Sequence, residues 1–164
     1  LVGSEMCIRD RAKFRRTHIG FIYQDYKLIP EYTAYENIIL PLILDSEEDD
    51  EEEVIELMES LGIDYCKDKF PAQMSGGEQQ RIAIARALVN KPAILLCDEP
   101  TGNLDPANSN EIMKILNQVN KQGTTVLVVT HNMEIVQQMK KRTITMSEGK
   151  IISDQEKGGY FYED

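Results

Sequence analysis

The chain has 164 residues, 41% of them hydrophobic, with a formal net charge of -10, which is enough to bury one sizeable core: a single domain or a large part of one. That charge, with no basic stripe to offset it, excludes a nucleic-acid binder. No apolar run approaches the roughly 18 residues that cross a bilayer, and Cys7, Cys66 and Cys97, at unrelated spacings, fit neither a disulfide framework nor a zinc site and suit a reducing compartment.

The first eleven residues, LVGSEMCIRDR, start at leucine and carry neither the apolar core of a signal peptide nor a helical or strand period. They read as a foreign segment, similar to spurious translations at the ends of assembled fragments, and are set aside from the fold. HIGFIYQ (18–24) suits a short strand, and a long helical section from about Tyr32 to Asn90 follows, with interruptions expected near Pro41, Gly62 and Pro71. Within it, eight of the nine residues from Asp45 to Glu53 are acidic. A helix period (Val54, Leu57, Met58, Leu61) begins directly after them, so the run reads as a solvated helix start favoured by the helix dipole rather than a metal site.

The stretch QMSGGEQQRIAIARALV (73–89) opens a second helix start, with Ser75 and Glu78 at the spacing of a capping box. A capping box has no need of Gly76 and Gly77, since glycine inside a helix costs about 0.5 to 1 kcal/mol relative to alanine. Backbone N–H groups without side chains at a positive helix terminus can approach an anion closely, and phosphate is the anion expected.

Beyond residue 90 the period changes. AILLCD (93–98) and TTVLVVT (124–130) are continuous apolar runs of strand length, as expected for strands covered on both faces. Between them Ile112, Ile115, Leu116 and Val119 share one face of a helix over 106–122, stopped by Gly123. A short helix carrying Met133, Val136 and Met139 precedes RTITMSEGKIIS, which reads as a hairpin turning at Glu148-Gly149 and closing one sheet edge. Strands alternating with helices predict an α/β fold with a mostly parallel sheet.

Candidate site residues gather at the strand ends, where open α/β sheets bind ligands. Asp98 and Glu99 leave the first apolar strand with side chains in different directions, so one carboxylate can hold Mg²⁺ while the other orients or deprotonates a water. His131 leaves the next strand, and Gln24 leaves the first, as further polar groups able to reach metal, water or phosphate.

Taken together these stretches resemble the ATP-binding cassette ATPases over nearly all of residues 13–157: MSGGEQQR resembles the signature motif, ILLCDEP the Walker B strand, GNLD the D-loop, VTHN the switch histidine and FIYQD the Q-loop. The resemblance implies a P-loop cassette fold, with an inserted helical subdomain at about 32–90 and a C-terminal hairpin. It also implies a homodimer of cassettes with ATP and Mg²⁺ held between them. Glu99 and His131 would then be catalytic, and Asp98 and Gln24 metal-binding. Gln24, Ser75, Gly76, Gly77, Glu78 and Asp105 would bind nucleotide, the signature residues gripping the γ-phosphate carried by the partner chain.

The phosphate cradle G-x-x-x-x-G-K-[ST] has no match here, because Gly149-Lys150 is followed by Ile151 and has Ile144 where the first glycine belongs. The expectation is a cassette lacking its first strands and cradle, whose residues 12–157 form a partial domain and 158–164 a tail. As given, the chain is expected to be inactive toward ATP. The runs 15–30 and 69–105 and the Tyr-rich ending resemble the cell-division branch of the family. That likeness implies an FtsX-like transmembrane subunit as partner, a place on the cytoplasmic face of the plasma membrane, and membrane contact only through that subunit, docked on the segment Asp25 to Pro41 with Tyr26, Leu28, Ile29 and Tyr32. A lipoprotein-release or macrolide-export ATPase is the nearer alternative. A nucleotide-independent scaffold is the more distant one.

Overall fold

In the computed structural model, which describes residues 11–45 and 50–156, strands β1 (Ile19–Ile22), β2 (Ile94–Asp98) and β3 (Thr125–Val129) form a parallel sheet in that order. Phe21, Leu96 and Leu127 stand opposite one another across it. Residues 11–18 are helical (α1), an element the sequence reading did not anticipate. Of the segment 1–11 only Arg11 is described, and the tail 158–164 lies outside the described residues. The chain divides into two compact units, one ending at Val129 and one beginning at Thr130.

In the first unit the regular elements among the described residues between β1 and β2 are all helical: α2 (Ala34–Asp45), α3 (Glu51–Ser60), short 3-10 turns at Asp64–Cys66 and Pro71–Gln73, and α4 (Gly76–Leu88). Thr33 and Glu36 cap α2 reciprocally, the Thr33 N–H donating to Glu36 Oε2 at 2.7 Å and the Glu36 N–H to Thr33 Oγ at 3.2 Å. Pro41 lies inside α2 rather than interrupting it. A proline there forfeits one helical hydrogen bond, but burial of Ile38 and Ile39 in the preceding turn holds the helix through it. The acidic run ends in a helix start as expected, with Asp50 accepting from the Glu52 and Glu53 N–H groups. Gly62, at φ 65°, closes α3.

Helix α4 packs on β1 and α2, and α5 (Pro106–Lys121) packs on α4 and β3. Ile22, Leu95, Ile82, Ile84, Ile112 and Leu116 form the core beneath them. The sheet is not covered on both faces among the described residues. Phe21, Ile94, Leu127 and Val129, which alternate with buried neighbours or lie on the same side as those that do, are 38–58% exposed. The helices seat on the side carrying Gly20, Ile22, Leu95 and Cys97, so a continuous apolar run here does not mark a strand covered twice.

The second unit holds α6 (Met133–Met139), capped by Asn132, and a hairpin of β4 (Thr143–Ser147) and β5 (Lys150–Gln155). The short helix carrying Met133, Val136 and Met139 forms as expected, with Ile135 its buried residue and those three half-buried. The hairpin turns at Glu148 (φ 48°) and Gly149 (φ 76°), the positive-φ pair a tight two-residue turn demands. Instead of closing an edge of the parallel sheet, β4 and β5 pair as a separate two-stranded sheet.

Candidate functional site

Ser75 and Glu78 form the expected capping box at the tip of α4: the Ser75 N–H donates to Glu78 Oε2 at 2.6 Å, and the Glu78 N–H donates to Ser75 Oγ at 3.3 Å. The bonds to Ser75 pull the Glu78 carboxyl down to about 2. Cys66 Sγ (3.4 Å) and Lys69 Nζ (3.5 Å) also lie against that carboxylate. The Glu78 bond pushes the Tyr65 hydroxyl up to about 12. Glu78 is thereby committed to holding the helix tip.

The structure gives the glycine pair a second reason to exist. A β-carbon on Gly77 would lie 2.5 Å from Asn108 Oδ1, and one on Gly76 would lie 2.9 Å from the Tyr26 hydroxyl. Asn108 belongs to the first turn of α5, where Asp105 is the N-cap, accepting from the Ala107 and Asn108 N–H groups at 3.0 and 3.1 Å. Asn108 Nδ2 also donates to Asp105 Oδ2 at 2.5 Å, the bond that most lowers the Asp105 carboxyl. Ser75, Gly76, Gly77, Glu78 and Asp105 therefore belong to one pair of abutting helix tips.

A second group forms beyond β2. Glu99 has φ 45°, a left-handed backbone uncommon outside glycine, and its N–H donates to the Val129 carbonyl at 2.9 Å, tying the start of the loop to the end of β3. Asp98, the last residue of β2, is exposed. Gln24 reaches the same loop: Asn103 Nδ2 donates to the Gln24 carbonyl at 2.9 Å, Gln24 Nε2 donates to Asn103 Oδ1 at 3.4 Å, and a β-carbon on Gly102 would strike the Gln24 amide at 2.7 Å. The two carboxylates, Gln24 and Asp105 thus belong to strand ends and one connecting loop. His131 is exposed and lies in the second unit, one residue past Thr130. Of the expected docking residues, Tyr26, Leu28 and Ile29 are half-buried and Tyr32 is exposed.

Residues that the sequence reading passed over hold these groups. Gln80, fully buried on α4, donates from Nε2 to the Pro100 carbonyl at 2.8 Å and so fixes the loop one residue beyond Glu99. Its spacing was informative: Gln80, Ala83 and Ile84 share one helix face and all three are buried. Asn37, equally buried, accepts from the Ile29 N–H and donates to the carbonyls of Ile29, Tyr32 and Thr33. Asn103 lies within the GNLD stretch, but no sequence signal marked its pairing with Gln24 or the contact of Asn108 with Gly77, both of which are tertiary.

A parallel sheet whose strand ends carry a glutamine, paired carboxylates and an abutting glycine-tipped helix defines an α/β ATP-binding-cassette fold. The family model described as "ABC transporter" matches residues 2–102, and the chain belongs to that family. The "Cell division ATP-binding protein FtsE" of Streptococcus pneumoniae serotype 2 (strain D39) is 47% identical over 151 residues, covering 91% of this chain and 66% of that protein. "Lipoprotein-releasing system ATP-binding protein LolD 2" of Caulobacter vibrioides is 46% identical over 151 residues, covering 90% of this chain and 66% of its own length. The chain thus spans just under two thirds of the length of the curated relatives it matches. Among solved structures, the "ATP-binding cassette MJ0796", a dimer in a post-hydrolysis state bound to ADP and Pi, superposes with a TM-score of 0.77 at 37% identity, covering 93% of this chain and 68% of that one.

Proposed function

We propose that this chain is part of the ATP-hydrolysing subunit of a cell-division complex, working as a homodimer of cassettes against an FtsX-like transmembrane partner on the cytoplasmic face of the membrane. In this reading residues 12–157 are one partial cassette domain with 32–90 as its helical subdomain. The observation that carries it is the convergence of Gln24 on the loop that begins at Glu99 and ends at Asp105, secured by the paired Gln24–Asn103 bonds. ATP is the substrate. Glu99, on its left-handed backbone, orients or deprotonates the attacking water, and His131 is the second catalytic residue of this reading. The tip formed by Ser75, Gly76 and Gly77, fixed by Glu78 and seated beside Asp105, meets the nucleotide of the partner cassette.

Among the described residues no three His, Cys, Asp or Glu side chains form a metal cage. Two oxygen donors completed by phosphate and water suit magnesium, which keeps much of its own hydration, and Asp98 and Gln24 would hold it. When bound, the ion would neutralise charge on the phosphate oxygens. None of the described helices is long and apolar enough to cross a membrane; in this reading membrane contact is through the partner, docked on the segment from Asp25 to Pro41.

The 46% identity to LolD 2 favours a second reading, a lipoprotein-release ATPase. The complete protein should hydrolyse ATP and co-purify with an FtsX-type subunit encoded beside it, and Glu99→Gln should abolish turnover and accumulate an ATP-bound dimer. A neighbouring permease that replaces FtsX in the pull-down would select the second reading. Unchanged turnover in Glu99→Gln would remove Glu99 from its role.

A further inference from the structure

Two residues past Gln24 the chain makes a turn that side chains oppose. Tyr26 and Lys27 are consecutive left-handed residues, at φ 59° and 47°, and neither is glycine. Such a pair persists only where the surroundings hold it. Arg86, near the far end of α4, supplies the hold: Nη1 donates to the Lys27 carbonyl and Nη2 to the Tyr26 carbonyl, each at 2.6 Å. The planar fork of a guanidinium can serve two carbonyls at once, which a lysine ammonium on its flexible stem does poorly. Burial lowers the pKa of Arg86 while the Tyr23 phenol opposes it, so this cation has been drawn out of water to bind backbone rather than a carboxylate. Tyr26 also reaches the opposite end of α4, where its hydroxyl lies against Gly76. One residue therefore touches α4 through its carbonyl at Arg86 and through its ring tip at the glycine pair.

We propose that Arg86 is a positioning residue. By gripping the Tyr26–Lys27 turn it keeps Gln24 on the Asn103 loop and the Tyr26 hydroxyl against Gly76, so that α4 sets the spacing between the Gln24 turn and its own tip. The mechanical link stands on the hydrogen bonds alone; its value for ATP hydrolysis rests on the function proposed above.

The test is amide hydrogen exchange on the complete protein without nucleotide, comparing wild type, Arg86→Lys, Arg86→Gln and the double variant Arg86→Gln/Lys27→Gly. The Tyr26 and Lys27 amides bond within the turn to the Tyr23 and Asp25 carbonyls, so they report its closure. Their exchange should quicken at least tenfold in both Arg86 variants while the amides of α5 stay as protected as in wild type. The Lys27→Gly change should recover most of that protection, because glycine takes a positive φ without strain. Turnover should follow, with kcat falling in the single variants more than KM changes and rising again in the double variant. Unaltered exchange at Tyr26 and Lys27 would overturn the proposal. So would a general loss of protection that glycine fails to rescue, since Arg86 would then be a core residue and nothing more. Absence of ATP turnover in the wild type would fall on the proposed function and leave the exchange comparison to decide the link.

Discussion

Gly77 and Asn108 touch: a β-carbon at position 77 would sit 2.5 Å from the Asn108 amide oxygen, a separation real side chains do not adopt. Alanine at 77 gains about 1 kcal/mol of helix propensity, but overpacking of a buried contact costs typically 1–3 kcal/mol. Gly77→Ala is therefore expected to lower the urea midpoint, with a net loss of about 1 kcal/mol. Adding Asn108→Ala should return part of the loss, because the clashing group is gone and Asp105 still caps α5 through the Ala107 N–H. A stabilised Gly77→Ala protein would show that the two helix tips have room to spare.

Glu78 makes stability depend on acid. Its folded carboxyl sits at about 2 against an ordinary 4.5, held down first by Ser75. A depressed carboxyl contributes stability that is present above its unfolded value and lost as pH falls through its folded one. Replacing it with glutamine keeps the shape of the capping box and removes the titration. The stability gap between wild type and Glu78→Gln should be on the order of 1 kcal/mol above pH 4.5, the usual size of a helix cap, and should close as pH drops toward 2. Urea midpoints of both proteins over that range measure it; parallel curves would mean the carboxylate is not engaged in solution.

How far the sequence could be read depended on how local each cause is. The Ser75–Glu78 cap, the Asp50 start of α3, the Gly62 and Gly123 stops and the Glu148-Gly149 turn are decided within a few residues, and all appear where expected. Thr33–Glu36 carries the same signal as Ser75–Glu78 and places the start of α2, but was hidden inside a long helical section. Pro41 was misread as an interruption because its local cost is overruled by the packing of Ile38 and Ile39. The strand-end residues Gln24, Asp98 and Glu99 were legible from motif order. The bonding partners of Gln80, Asn103 and Arg86 were not, since they are backbone carbonyls 20 to 79 positions away and a carbonyl leaves no trace in a residue pattern.

The 164-residue polypeptide contains no G-x-x-x-x-G-K-[ST] run, the run whose backbone amides and lysine cradle the β- and γ-phosphates in P-loop ATPases. Calorimetric titration of this polypeptide with Mg-ATP should show no saturation at micromolar nucleotide. Micromolar affinity would mean that the strand-end groups and the α4 tip suffice on their own.

Asn37 offers the severest single substitution and a pH signature opposite to that of Glu78. It is fully buried, its Oδ1 accepts from the Ile29 N–H at 2.8 Å, and its Nδ2 faces the carbonyls of Ile29, Tyr32 and Thr33 at 2.9 to 3.1 Å. Alanine would strand the Ile29 N–H and the Tyr32 carbonyl, since the Ile29 and Thr33 carbonyls keep the backbone N–H groups of Tyr32 and Asn37, and each stranded group costs about 1–3 kcal/mol when buried without a partner. Asn37→Ala should accordingly lose about 2–4 kcal/mol of stability. Aspartate keeps the acceptor but sets a carboxylate against three carbonyl oxygens. Burial and those oxygens both favour its protonated form, so its folded pKa rises above the unfolded value near 4. A raised pKa gives stability below the unfolded value that is lost as pH increases. Asn37→Asp should thus be closer to wild type near pH 4 than at pH 7, as measured by urea midpoints at the two pH values. Equal stability of wild type and Asn37→Asp at pH 7 would mean that the Asn37 amide is not what holds the segment between β1 and α2.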